Sequence, residues 1–453
     1  MTVDGTLVPR RGRGTELALL ILAIGIATAA YVSVDLGANG TVPANAVAYM
    51  TGLLVLTGIA HVIIRRFAPY ADPLILPIVV TLNGLGLAMI HRLDLADGTT
   101  NAATQLTWMV VGVLGFVAVV VFIRDHRILS RYTYTAALLG ILLLMLPMLP
   151  VIGHEVRGAR IWIQIGAMTF QPGEAAKIVL IIAFAGYLVR TKDALALAGR
   201  RVLGIDLPRA RDLGPILVMW FAALGILAVQ NDLGPSLLVF GIFVLMIYVA
   251  TERISWIVLG ILLAVIGGFA ARTLFGHVRA RVTAWLDPFS DPDQFGQIIQ
   301  SLYGLAYGGI TGTGLGRGRP DLVPFAESDF IASSLGEELG LTGLMAVIVL
   351  YAILVSRGLK ASLVLRDPFG KLLAMGLAAG LMLQVFIVIG GVTKLIPLTG
   401  LTTPFLSLGG SSLVMNWVLI GLLIRLSDAA RRPAPTAPPP TVDDAATQVV
   451  RLP

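Results

Sequence analysis

The sequence has no cysteine in 453 residues and only five histidines. Without a thiol, disulfides, thiolate nucleophiles and thiolate metal centres are excluded together. His61, His91, His126, His154 and His277 lie far apart with no HExxH-like spacing, which also excludes a histidine zinc site. Charge is scarce: Asp, Glu, Lys and Arg make up 13% of the chain against 57% hydrophobic residues. An ordinary soluble domain carries roughly 25% charged and 45–50% apolar residues. A soluble chain of this length has no way to hide so much apolar surface, so a soluble enzyme and a nucleic-acid binder are both set aside. Acids are the scarcer sign, 26 against 33 bases, for a net charge of +7. That surplus sits in short connections between apolar runs, where it reads as membrane topology and not as a polyanion site.

What is present is a series of apolar runs, each about 20 residues long and so able to cross about 30 Å of hydrocarbon. They fall near Thr15–Asp35, Ala46–Ile64, Pro73–Ile90, Leu106–Ile123, Thr133–Ile152, Gly173–Val189, Leu213–Val229, Pro235–Ala250, Ile254–Ala271, Leu335–Tyr351, Leu372–Gly390 and Phe405–Ile424. The expected fold class is an all-α integral membrane protein, a polytopic helical bundle of about 12 spans. The basic start Arg10, Arg11, Arg13 leads into a run too long for a secretory h-region and without a clear cleavage site, so the first span reads as an anchor. Basic residues recur in alternate connections, at Arg65 and Arg66, Arg124 and Arg127, Arg190 and Lys192, Arg357 and Lys360, and Arg431 and Arg432. By the positive-inside rule both termini are expected in the cytoplasm. The other side then receives Leu36–Asn45, Gly153–Gln171 and the long segment His277–Ser333. Long structured loops are commonly functional.

The long segment gathers Asp287, Asp291 and Asp293 in two Asp-Pro pairs, followed by the amide and hydroxyl run Gln297, Gln300 and Ser301. Such acids suit a general base or a cation site, and equally suit a turn in which the carboxylate caps its own backbone. The glycine-rich basic stretch from Gly308 to Arg319 reads either as a diphosphate cradle at the membrane surface or as a tight glycine turn. Glu337 and Glu338 stand at the head of an apolar helix, where the helix end alone favours acids. Glu174 and Lys177 are spaced i, i+3 at the mouth of a span with Arg160 upstream, so they form either a neutralising pair or a receptor for an anionic head group. Asp232 joins two spans in a tight turn and reads as a cap. Pro397 to Ser412 breaks helicity at membrane depth, where irregular backbone must be buried in protein or line a cavity.

In order, the blocks GARIWIQIG and FQPGEAAK, QNDLGPS, LDPFSDP with IIQS, GGITGTGLG, SDFIASSLGEELGLTG and IPLTGLTTPFLSLGGSS resemble the SEDS family (shape, elongation, division and sporulation) of membrane proteins. The resemblance covers roughly Pro73 to Leu426, and within the family it is nearest the actinobacterial RodA-type branch. It implies a cytoplasmic N-terminus over 1–14, two additional spans over 15–72, a ten-span core over 73–430 with a large extracellular loop at 272–334, and a disordered Pro-rich cytoplasmic tail over 431–453. It also implies a peptidoglycan glycosyltransferase of the cell membrane that polymerises lipid II on the outer face, with a class B penicillin-binding protein as partner and membrane lipid around it. By motif the catalytic acid falls on Asp291, with Asp287 and Asp293 as alternatives because only five residues separate Asp291-Pro292 from Ile298 to Ser301. Substrate contacts are expected from Arg160, Glu174, Lys177, Gln300, Ser301, Glu338, Lys394 and Ser411, of which Arg160, Lys177 and Lys394 would face the leaving diphosphate. A divalent cation, Mg²⁺ or Mn²⁺, is the expected cofactor if there is one. A flippase for the lipid-linked precursor, a noncatalytic scaffold, and a division role in place of elongation are the competing readings.

Overall fold

The computed structural model describes residues 12–150, 152–156, 159–166, 168–196, 200–202, 205–207 and 210–433. The expected N-terminal segment up to residue 11 and the Pro-rich tail from 434 lie outside the described residues. Every expected apolar run is a helix. These are α1 (Arg13–Asn39), α2 (Ala46–Phe67), α3 (Ile75–Asp97), α4 (Asn101–Phe122), α5 (Thr133–Met145), α6 (Pro172–Ala196), α7 (Ala210–Val229), α8 (Leu233–Thr251), α9 (Ser255–Leu274), α12 (Ile331–Val364), α13 (Pro368–Val392) and α14 (Gly410–Arg431). Eleven of the described helical segments are long and apolar enough to cross a membrane, and Gly214–Val229 of α7 is a shorter apolar helix. The protein is a multi-pass membrane protein.

Without a hydrophobic drive between helices in lipid, close approach through small residues does much of the packing. A side chain at Gly84 would meet the Cβ of Ala27 at 2.2 Å, and one at Gly358 would meet the Cβ of Ala378 at 2.8 Å. Most of α3, α6, α13 and α14 is buried at the centre of the bundle, whereas only 6% of the apolar window of α9 is covered by protein. The two N-terminal helices are part of the bundle: α1 lies along α3, and α2 packs on α1 and α4.

One end of the bundle carries most of the non-membrane structure. There β1 (Gly153–Val156), β2 (Ala159–Ile165) and β3 (Met168–Phe170) form an antiparallel sheet in the order β1-β2-β3, with Ile163 opposite Phe170 and Gln164 opposite Thr169. A second small hairpin, in the connection that follows the far end of α6, pairs β4 (Arg200–Val202) with β5 (Ile205–Leu207). The long segment expected as a loop is largely helical, with α10 (Gly276–Leu286) and α11 (Pro292–Gly308) before the glycine-rich stretch.

That stretch has a definite partner. Helix α12 is broken at Gly340 (φ 70°, ψ −174°), which frees carbonyls and N–H groups that cannot stay unpaired inside the protein. Thr313 and Gly314 donate their N–H groups to the carbonyls of Glu337 and Glu338 at 3.0 and 2.9 Å, and Leu341 donates to Gly309 at 2.9 Å. Gly312, at φ +82°, sits where a Cβ would lie 2.3 Å from the Glu338 carbonyl, so only glycine fits there.

Candidate active site

The same end of the bundle encloses a polar cavity of about 510 Å³. Ile161, Trp162 and Thr169 reach it from the sheet, Gln171 and Glu174 from the start of α6, Trp108 from α4, Asn231 and Asp232 from the α7–α8 turn, Arg281 from α10, and Ser328 and Asp329 from just ahead of α12. The irregular segment Thr399 to Ser412 forms the remaining wall.

Neighbouring elements supply hydrogen-bond partners to its irregular backbone. Ser407 Oγ donates to the Ser328 carbonyl at 2.6 Å and accepts the Thr403 N–H at 2.8 Å. Gln105 of α4 donates to the Ser407 carbonyl at 3.0 Å, and the Tyr351 hydroxyl of α12 donates to the Pro404 carbonyl. Arg281 donates to the Thr399 carbonyl at 2.6 Å, which pins α10 to this wall.

The charged groups of the cavity act on one another. Asp232 stands at the N-cap position of α8, yet its carboxylate makes no cap hydrogen bond. It is reached from the cavity and otherwise surrounded by protein. Burial pushes its carboxyl up to about 7, with Glu174 and Asp329 pushing the same way and Arg281 opposing. Burial lowers the Arg281 guanidinium from its ordinary value, while Asp329 and Asp232 hold it up. A carboxyl that titrates near neutrality in a polar cavity is suited to taking and giving a proton.

Of the residues expected from sequence, Glu174 and Ser411 line this cavity. Ser411 Oγ accepts the Gln171 N–H at 2.9 Å, locking the start of α6 to the start of α14. Lys177 lies one turn deeper, donating to Glu174 at 2.9 Å and to Gln384 of α13 at 2.8 Å, and Gln384 donates on to the Thr402 carbonyl at 3.0 Å. This hydrogen-bonded chain runs from the cavity floor into the bundle. Arg160 is on β2 between the cavity residues Ala159 and Ile161, and its Nε is buried without a hydrogen-bond partner.

The others are elsewhere. Asp291 caps α11, accepting the Gln294 N–H at 3.1 Å, and Asp287 caps the following turn in the same way by accepting from Phe289 at 3.2 Å. Asp291 is exposed and does not line the cavity. Gln300 lines a separate surface cavity of about 330 Å³ with Tyr303, Tyr307, Arg317 and Arg319. Ser301 is fully buried with its hydroxyl unpartnered. Glu338 is also buried, with one oxygen accepting from Arg92 Nε at 2.8 Å and the other from the Gly316 N–H at 2.9 Å. Lys394 has left-handed backbone (φ 60°), and its carbonyl accepts from Trp285 at 3.0 Å.

Arg281 carries no signal that sets it apart in the sequence, whereas Asn231 and Asp329 fall inside the QNDLGPS and SDFIASSLGEELGLTG blocks without being marked individually. Asp232 does carry one, an acid at the very edge of a span, where a charge is expensive.

The fold and the motifs have relatives. The chain is 50% identical over 434 residues to the "Peptidoglycan glycosyltransferase RodA" of Mycobacterium tuberculosis, covering 94% of this chain and 92% of that protein. The protein of the same name from Mycobacterium leprae is 47% identical over 460 residues, covering 99% and 98%. A solved structure described as "Structural coordination of polymerization and crosslinking by a peptidoglycan synthase complex" superposes with a TM-score of 0.65 at 26% identity, over 80% of this chain and 98% of that one. The model of the cell cycle protein family FTSW_RODA_SPOVE matches residues 73–432, from just ahead of α3 to just past α14, and the chain belongs to that family.

Proposed function

We propose that this protein is a peptidoglycan glycosyltransferase that polymerises lipid II into glycan strands during cell elongation and releases undecaprenyl diphosphate. The observation that carries this reading is the 50% identity to a RodA glycosyltransferase over 94% of the chain. The polar cavity at one end of an apolar bundle supports it, because a lipid-linked sugar needs its polar head and its tail received at one interface. In this reading the cavity end faces outside and both termini are cytoplasmic, as the basic connections at the opposite end favour.

In the reaction, a hydroxyl of the incoming disaccharide attacks the anomeric carbon of the growing chain. The new C–O bond forms as the bond to the lipid diphosphate breaks, and the hydroxyl proton passes to a carboxylate. One base is enough for this inversion. Asp291 is the proposed base: it is water-accessible on the long segment, and capping occupies one of its oxygens. Asp232 is the second candidate, favoured by its place in the cavity and its carboxyl near 7. Arg160 and Lys177 supply positive charge at and beneath the cavity for the departing diphosphate, and Arg281 adds a third cation. Lys394, Gln300, Ser301 and Glu338 remain proposed contacts or supports of the substrate path.

Among the described residues no three His, Asp or Glu side chains are placed to hold a metal ion. Mg²⁺ commonly binds through one or two carboxylates together with substrate phosphates, so Mg²⁺ or Mn²⁺ stays a proposed companion of the diphosphate. Such an ion would arrive on the diphosphate, and no step above passes through it. The partner in this reading is a class B penicillin-binding protein, which would crosslink the strands as they emerge.

Purified protein supplied with lipid II, with and without that partner, tests the assignment by the appearance of polymer on a gel. Asp291→Asn should abolish polymer while leaving folding and partner binding intact. Wild-type polymer from that variant, with loss in Asp232→Asn, would move the base to Asp232. No polymer from the wild-type protein under either condition would remove the enzymatic reading.

A further inference from the structure

Helix α14 begins at the cavity, and its 22 residues carry the chain roughly 33 Å to the opposite end of the bundle. A second polar site lies there. Arg66 and Phe67 at the end of α2, Arg124 just past α4, Arg425 of α14 and Arg432 just beyond it line a cavity of about 310 Å³. Its lining contains four guanidinium groups and, among the described residues, no carboxylate.

Among the described residues, three of the four arginines have no carboxylate in contact, and only Arg432 is paired. Arg425 is buried and spends its donors on main chain: Nε donates to the Ile123 carbonyl at 2.7 Å, Nη1 to Phe67 at 2.6 Å, and Nη2 to Arg124 at 2.5 Å. These are terminal carbonyls of α2 and α4, so Arg425 caps both helices and leaves its charge uncompensated by any anion in contact. Arg432 is paired at 2.7 Å with Asp428, which also accepts the Tyr70 N–H at 2.8 Å. Arg66 lies over the ring of Phe67 at 5.5 Å, and among the described residues neither Arg66 nor Arg124 has a carboxylate partner. The nearby acid Asp125 caps its own turn by accepting from the Arg127 N–H at 3.0 Å.

A membrane topology signal accounts for arginines at this end. It does not account for four converging on one cavity, where like charges repel until an anion separates them. Guanidinium groups match the oxygens of phosphate in geometry as well as charge. We propose that this cavity binds a phosphate group, presented by the head group of an anionic phospholipid. Its place at the ends of three membrane helices puts it at head-group level, where basic pockets between helices take such lipids. The site joins α2, from outside the matched family region, to α4 and α14 within it, so its occupant ties the two parts together.

The test uses the whole protein in detergent, with thermal midpoint and native mass spectrometry as readouts. Diphosphatidylglycerol should raise the midpoint and remain bound, while phosphatidylcholine should do neither. The double variant Arg66→Gln/Arg124→Gln should weaken the diphosphatidylglycerol response by about tenfold or more. Both residues are exposed, so the variant's lipid-free midpoint should stay at the wild-type value, which separates loss of binding from loss of fold. Arg65→Gln, on the same turn but outside the cavity lining, should respond as wild type. If inorganic phosphate alone reproduces the shift and the double variant loses it, the phosphate site stands with a soluble source. An unchanged lipid response in the double variant, or an equal loss in Arg65→Gln, overturns the proposal.

Discussion

Asp232 shows how much depends on the surroundings of one side chain. A capping hydrogen bond favours the charged form of an N-cap aspartate, but Asp232 makes none, is turned into a cavity and is pushed up to about 7 by burial. If it transfers protons, polymerisation should rise with pH through about 7 in the wild type and lose that limb in Asp232→Asn, measured as initial rate against pH. Stability has the opposite sign. A carboxyl raised on folding contributes fully below its unfolded pKa of about 3.9, and that contribution is lost as pH rises through about 7. Asp232→Asn, which mimics the protonated form, should therefore gain thermal midpoint over wild type progressively between about pH 4 and pH 7.

Glu338 makes the converse case: a buried acid whose two oxygens are both taken by Arg92 and the Gly316 N–H. Glu338→Gln should cost about 3 kcal/mol by leaving a buried guanidinium charge unpaired, the low end of such losses because Asp321 remains 3.8 Å from Arg92. Thermal unfolding measures it. The sequence marks both acids as unusual because charges are rare in this chain. Which one faces a cavity and which one holds a loop depends on contacts far along the chain, such as Arg92 to Glu338 across 246 positions, and no local pattern encodes those.

Among the elements, the membrane helices were the most legible part, because length and hydropathy alone dictate them. The long segment was the least legible. Its glycines and Asp-Pro pairs read as loop, but the two Asp-Pro pairs start a turn and a helix, and the glycines let the irregular backbone of the loop lie against the broken part of α12. Gly312→Ala should cost at least about 1–2 kcal/mol for its left-handed backbone, with the clash on the Glu338 carbonyl added. Loss of protease resistance around residues 308–320 would report it.

At the other end, α13 is started by Asp367, which accepts the Gly370 N–H at 2.6 Å and pairs with His126 at 2.9 Å. Burial would raise this carboxyl, but His126, the Gly370 N–H and Arg127 outweigh it and hold it down to about 2. Its stabilising contribution is therefore present above about pH 4 and lost as pH falls toward 2. Asp367→Ala should cost about 1–2 kcal/mol at neutral pH, with the difference from wild type closing on acidification in a thermal melt.

For the whole molecule, the question is whether the two helices outside the family region are an appendage. Leu53, Ile64, Leu76 and Leu82 are all fully buried, and Tyr31, stacked on Tyr49 within the N-terminal pair, also stacks on His91 of α3 across the boundary. Deletion of residues 1–72 should therefore yield no monodisperse protein on size-exclusion chromatography in detergent. A well-behaved truncated core would show the two parts to be independent.

Helix α1 is held at both ends. Near its start, Arg13 bonds the Ala71 carbonyl and Glu16, and Glu16 accepts from His61 at 2.6 Å. Near its finish, Gly37 lies so close to the glycine-rich stretch that a Cβ there would be 2.0 Å from the Leu315 carbonyl, and one on Gly316 would be 2.2 Å from the Val34 carbonyl. With bare backbone on both sides, that contact has one register, since a slip by a single position would bring Leu36 or Ala38 against the loop. The stretch of α1 from Arg13 to Gly37 thus works as a ruler, roughly 36 Å long, that sets how far the glycine-rich loop stands from the arginine end of the bundle.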